Sequence, residues 1–141
     1  MDKQLGGVET GPDGFEPVAD QADNFSLYKS EQNSALWISL YGFRSADKGE
    51  LAMSALKTQL ETAPTQCLVI DYRSADYPED LFETIQYYGQ IATFLPRARV
   101  ITLRNNPADP VAPLLALELE ASGHDVTAVN DEQAVMDLLA S

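Results

Sequence analysis

The chain has 141 residues, 45% of them hydrophobic, with 22 acidic against 9 basic residues and a formal net charge of −13. This length suits one domain with a real core, and the hydrophobic share excludes wholesale disorder. The charge balance argues against nucleic acid, because phosphate contacts need a Lys/Arg surface, and equally against docking on anionic lipid.

A single cysteine, Cys67, leaves no intramolecular disulfide, and with one histidine there is no Cys/His cluster for zinc. No phosphate loop, dinucleotide fingerprint or metal-ligand spacing occurs, so neither a metal nor a cofactor is expected. The start, MDKQLGGVETGPDG, lacks the apolar stretch of a secretory signal, and no run of 18 apolar residues could span a membrane. The expectation is a cytoplasmic protein whose acidic surface keeps it soluble or meets a basic partner.

Residues 1–22 carry Gly6, Gly7, Gly11, Pro12, Gly14 and Pro17 among acids, without periodicity, and read as a disordered acidic tail. Residues 23–141 then read as one α/β domain. In residues 24–29, Phe25 and Leu27 face one way and Ser26 and Tyr28 the other. Ser30–Ser34 is a polar turn cluster, and Ala35–Tyr41 alternates again, with Leu36, Ile38 and Leu40 opposite Trp37, Ser39 and Tyr41. Two alternating runs joined by a polar turn predict a β-hairpin. Trp37 and Tyr41 then require either cover on both faces of that strand or an exposed aromatic patch.

Asp47 and Glu50 have capping-box spacing, and Leu51, Ala52, Ala55, Leu56 and Leu60 fall on one helical face before Pro64. The apolar run Cys67-Leu68-Val69-Ile70 predicts a central strand over 66–72, buried on both faces. A second helix is expected from Pro78 to Leu95, with Glu79, Asp80 and Glu83 at its start and Tyr87, Tyr88 and Phe94 along it. Arg99–Leu103 reads as a strand. Asp109 caps a third helix with Pro110 and Pro113 in its first turn, a face of Leu114, Leu115, Leu117, Leu119 and Ala121, and Gly123 as its stop. Asp125–Val129 is a last strand, and Asn130 with Gln133 caps a last helix buried through Ala134, Val135, Leu138 and Leu139. The expected order is β-β-α-β-α-β-α-β-α: a mostly parallel sheet with an N-terminal hairpin.

Four segments together resemble the STAS family of anti-sigma-factor antagonists, in its divergent SpoIIAA-like form. They are Ala35–Gly42, Cys67–Asp71, Arg99–Leu103 and Val129–Leu139, and the likeness covers about residues 24–140. The resemblance implies a non-enzymatic regulatory or binding module whose partner is a protein, such as a signalling regulator. The family's antagonists carry Asp-Ser-(Ser/Thr)-Gly at the start of the helix after the central strand. Here that region reads Tyr77-Pro-Glu-Asp-Leu-Phe82, which supplies no phosphoacceptor at the usual position.

Parallel strands bring their C-terminal ends to one edge of the sheet, where α/β domains place their sites. That edge gathers Arg44, Asp71, Arg73, Ser74, Arg104 and Asn105, with Asn106 and Asn130 beside them. Three of nine basic residues clustered in so acidic a chain suit an acidic partner segment or a small anionic ligand. Ser74 has no supporting base, His124 reads as a surface histidine, and Cys67 as buried and inert. The leading expectation is therefore a binding module acting by protein–protein contact or small-ligand recognition. The alternative is a small α/β enzyme, or an anionic-ligand-binding protein, using Asp71, Arg73 and Arg104. A third is a structural subunit contacting others through the hairpin edge or the tyrosine-rich helix. The oligomeric state is left open.

Overall fold

The computed structural model describes residues 12, 14–18, 25–43, 46–62, 65–76, 99–104 and 111–140. In chain order the elements are β1 (Glu16–Pro17), β2 (Phe25–Ser30), β3 (Ala35–Phe43), α1 (Ala46–Thr62), β4 (Cys67–Asp76), β5 (Arg99–Leu103), α2 (Val111–Ala121), β6 (Asp125–Val129) and α3 (Glu132–Ala140). The helix expected over 78–95, and the Asp109 cap, lie outside the described residues.

The two alternating runs form the expected hairpin, β2 pairing antiparallel with β3 from Phe25↔Leu40 to Ser30↔Ala35. Its turn is stiffened locally: the backbone N–H and side-chain amide of Asn33 both donate to Ser30 Oγ, at 3.3 and 3.1 Å. The Ser34 carbonyl then accepts from the Gln66 N–H at 2.7 Å, which ties the turn to the start of β4. From β3 onward, β4, β5 and β6 add in parallel, giving a mixed six-stranded sheet in the order β1-β2-β3-β4-β5-β6.

The crossovers through α1 and α2 step in the same direction across the sheet. Right-handed connections of that kind put their helices on the same face. Accordingly Ala52, Met53 and Leu56 of α1 and Leu119 of α2 share one core with Leu27, Ile38, Leu40, Leu68, Ile70 and Val100. Leu51, expected inside, is 58% exposed, and Met53 takes its place; Leu114 and Leu117 are also exposed, so the apolar face of α2 is wider than its buried stripe.

The opposite face carries Tyr28, Trp37, Val69, Ile101 and Leu103. α3 follows the last strand and covers part of it with Val135, Met136, Leu138 and Leu139. Phe15 covers another part, packing edge-on against Trp37 with ring centroids 5.5 Å apart. The expected tail is therefore not uniform: Glu16–Pro17 pairs with Tyr28 and Lys29, and Phe15 is buried. The physical reason is Trp37, whose full burial is worth roughly 2–3 kcal/mol and needs a cover on this face. Of the two possibilities for Trp37, the structure shows the covered one, with the indole fully buried.

The ends of α2 and α3 show how sequence sets local structure. Gly123 adopts φ 94°, and the N–H groups of Gly123 and His124 return to the carbonyls of Glu120 and Leu119 at 3.0 Å each. This is the glycine-terminated double hydrogen bond that closes many helices, and it turns His124 inward, where it is buried rather than on the surface as expected. At α3 the cap is Asp131, one residue later than expected, with Oδ1 accepting from the Ala134 N–H at 2.8 Å.

Candidate functional site

The site grows from an irregularity in β4. The expected strand stops at Tyr72; the observed one continues to Asp76, so Arg73 and Ser74 are strand residues. Ser39 pairs with Asp71, but the next partners are Tyr41 and Ser74, so β4 carries one residue more than β3 across this step. Such a bulge removes a residue from the ladder and re-aims the side chains beyond it. Before it, Leu68, Ile70 and Tyr72 face the α1 side; after it, Ala75 does. Ser74 is thereby exposed, beside Tyr41.

Asp71 organises the bulge. Its Oδ1 accepts the Arg73 backbone N–H at 3.0 Å, the side-chain-to-backbone bond that Asp makes two residues on. The same Oδ1 accepts from Arg73 Nε at 3.0 Å, and Oδ2 accepts from Nη2 at 2.9 Å, so the guanidinium is gripped at two points. Behind the carboxylate, Ser39 Oγ donates to Oδ2 at 3.2 Å and accepts from the Trp37 indole N–H at 3.0 Å. Asp71 and Ser39 are buried, whereas the Arg73 side chain is 32% exposed. A continuous chain of hydrogen bonds thus runs from a buried indole to a half-buried guanidinium.

Glu132, at the start of α3, reaches the outer side of that guanidinium, its Oε1 accepting from Nη2 at 2.8 Å. The bond from Asp71 raises the Arg73 pKa above its ordinary value; burial partly opposes this, and Glu132 adds to it. Arg73 therefore stays charged at any ordinary pH. On the neighbouring strand end, Arg104 donates from its backbone N–H to the Val129 carbonyl and from Nε to Asn130 Oδ1, both at 3.1 Å. The turn between β6 and α3 consequently holds both arginines, Arg104 through Asn130 and Arg73 through Glu132.

Of the residues expected at this edge, Asp71 and Arg73 are in direct contact, and Arg104 sits at the end of the adjacent strand. Ser74 makes no side-chain hydrogen bond among the described residues. Arg44 and Asn105, with Asn106, lie outside the described residues. Ser39 and Glu132 were not anticipated as members of the cluster. Ser39 had a signal, a small polar residue facing the same side as Trp37 in an otherwise apolar strand. Glu132 had only its place at a helix start.

Two clefts lie at the other end of the sheet. One of 350 Å³ is lined by residues including Lys29, Ser30, Ser34, Gln59 and Thr62, and one of 370 Å³ by Gly14, Phe15, Glu16, Lys29 and Glu31. Neither includes Asp71. Among the described residues no three His, Cys, Asp or Glu side chains come together as a metal ion would require, and no helix is long and apolar enough to cross a membrane.

No family model matches the chain. No curated protein matches it by sequence. Its structure is similar to that of an uncharacterised DUF3478-family protein from Shewanella loihica PV-4, described as having a SpoIIAA-like fold. The TM-score is 0.58 at 14% identity, over 94% of this chain and 99% of the other. With its mixed sheet and the helices that cover it, the chain has a SpoIIAA-like fold.

Proposed function

We propose that the chain is a non-enzymatic binding module, and that it recognises a protein partner through the strand-end edge carrying Asp71, Arg73 and Arg104. The observation that supports this most is the construction of Arg73. A half-buried guanidinium, gripped at two points by a buried carboxylate and aimed outward, is preorganised for an anionic group, and little side-chain freedom is lost when it binds.

Asp71 is engaged on both oxygens, by Ser39 and by three donors of Arg73. That commitment fits a positioning role better than proton transfer, which needs a carboxylate with an oxygen open to substrate. The edge thus favours recognition over the alternative of an acid–base enzyme.

The test is affinity capture from a native cell extract with tagged wild type and an Arg73→Ala/Arg104→Ala variant, read by mass spectrometry. The reading expects proteins recovered by wild type to be lost with the variant while its circular dichroism spectrum is unchanged. Equal capture by both would count against this edge.

A further inference from the structure

Glu132 is placed where a ligand would be. Its side chain is 48% exposed, and it lies 59 residues from Arg73 in sequence, yet it closes on the outward side of the guanidinium. α3 does not depend on this contact, because Asp131 already caps the helix and Val135 already anchors it in the core. An exposed ion pair of this kind adds little to stability. Its main consequence is occupancy: a carboxylate fills the outer position of an arginine whose inner position Asp71 has fixed.

Arg104 is in the complementary state. Arg104 follows directly on the strand paired with β4, and the Asn130 that holds it stands two residues before Glu132 in the same turn. Its Nε is held by the neutral Asn130, and among the described residues no carboxylate pairs with it. In a chain of net charge −13, one arginine at this edge is satisfied by an internal carboxylate and its neighbour by an amide.

Resting on the reading of this edge as the binding surface, we infer that Glu132 is an internal stand-in for the ligand. The group recognised is a phosphate-type dianion that displaces the Glu132 carboxylate from Arg73 and adds a contact to Arg104. The charge of the ligand follows from the competition. Glu132 acts intramolecularly, at an effective concentration on the order of millimolar or above. An external monocarboxylate would gain nothing at Arg73 that Glu132 does not already supply. A phosphate with a second pKa of about 6 is a dianion at neutral pH, and its oxygens can engage two guanidiniums at once.

The experiment uses the full chain, ¹⁵N-labelled, at about pH 7.5, where phosphate is mostly dianionic, and at constant ionic strength. Inorganic phosphate is titrated while the Nε–H resonances of Arg73 and Arg104 are followed by NMR, with acetate as the monoanion control. The inference expects saturable shifts at both arginines with phosphate, no saturation at Arg104 with acetate, and roughly tenfold tighter phosphate binding in Glu132→Gln, the loss of one charge-assisted competitor. Glu132→Ala should behave in the same way. Unchanged phosphate affinity in both variants, or equal binding of acetate and phosphate, overturns it. A phosphoserine peptide run alongside separates the sources: tighter binding of the peptide places the phosphate on a protein partner, equal binding places it free in solution, and both uphold the site. Arg73-dependent capture without any phosphate binding overturns this inference and leaves the binding module standing. Phosphate binding at Arg73 with capture unaffected by the arginine substitutions upholds the inference and removes the protein-partner reading.

Discussion

Asp71 and Arg73, two residues apart on β4, grip each other through Nε–Oδ1 and Nη2–Oδ2 bonds of 3.0 and 2.9 Å, and the same carboxylate also closes the backbone between them. The two side chains are not equivalent. The carboxylate is buried and serves three groups, while the guanidinium is one-third open to water.

The first prediction follows from that asymmetry. Asp71→Ala should cost about 3 kcal/mol, because it strands the Arg73 N–H, the Ser39 hydroxyl and a half-buried charge together. Arg73→Ala should cost less, about 1–2 kcal/mol, since losing the one-third-exposed guanidinium opens the carboxylate to water while the Ser39 hydroxyl and the backbone N–H of residue 73 still hydrogen-bond it. Urea denaturation of the two variants checks the order; equal losses would mean that the carboxylate does not organise the bulge.

Ser39 links this pair to the chain's only tryptophan. Ser39→Ala removes the acceptor of the buried Trp37 N–H, for an expected loss of about 1–3 kcal/mol. With a single indole in the chain, fluorescence reports the change without ambiguity. The emission maximum should move to shorter wavelength in the folded variant, and an unmoved maximum would show that the indole N–H has another acceptor.

How legible was this in the sequence? Alternation placed β2 and β3, and short apolar runs bounded by turn residues placed β5 and β6. Gly123 could be read as a stop because only glycine adopts its backbone angle at little cost. Asp71 and Arg73 were identifiable as residues at the mouth of a buried strand. Their bidentate contact was not, because it depends on a bulge, and a bulge is a mismatch between two strands rather than a property of one. Glu132 was hidden by sequence distance. Phe15 was hidden differently: a lone aromatic among glycines and prolines has no period. The need for it follows only once right-handed crossovers have placed α1 and α2 on the far face, leaving Trp37 to be covered from elsewhere.

That dependence is testable at Phe15 itself. Phe15→Ala should lower stability by about 3 kcal/mol, the range for truncating a buried aromatic. A residue in a free tail would cost almost nothing. Thermal unfolding with and without the substitution distinguishes the two, and an unchanged midpoint would mean that the ring does not cover Trp37 in solution.

At the other end of the chain, Gly123→Ala isolates backbone strain from packing. No heavy atom lies within 4 Å of the position its Cβ would take, so no clash arises. The φ of 94° remains unfavourable for any side chain, and the expected cost is about 1 kcal/mol. A neutral result in chemical denaturation would mean that the end of α2 relaxes to a negative φ. It would do so by giving up the bonds to Leu119 and Glu120.

Cys67 provides the last prediction, through its ionisation. Burial pushes its thiol from an ordinary 9.0 up to about 11, with Arg99 pulling weakly the other way. The native state therefore holds a proton that the unfolded chain releases near pH 9. The sign follows by linkage. Below about pH 9 both states are protonated and the stability is fully present; between about 9 and 11 only the unfolded state ionises, and stability is lost by on the order of 2 kcal/mol. Cys67→Ser, or Cys67→Ala if the serine variant is too unstable to compare, should flatten this part of the profile in urea titrations across that range. The same protonation predicts slow labelling by a thiol reagent at about pH 8, where the thiolate is scarce, and fast labelling once urea unfolds the chain. Rapid native labelling, combined with an unaltered alkaline profile in the variants, would show that the thiol is not held in its protonated form by the core.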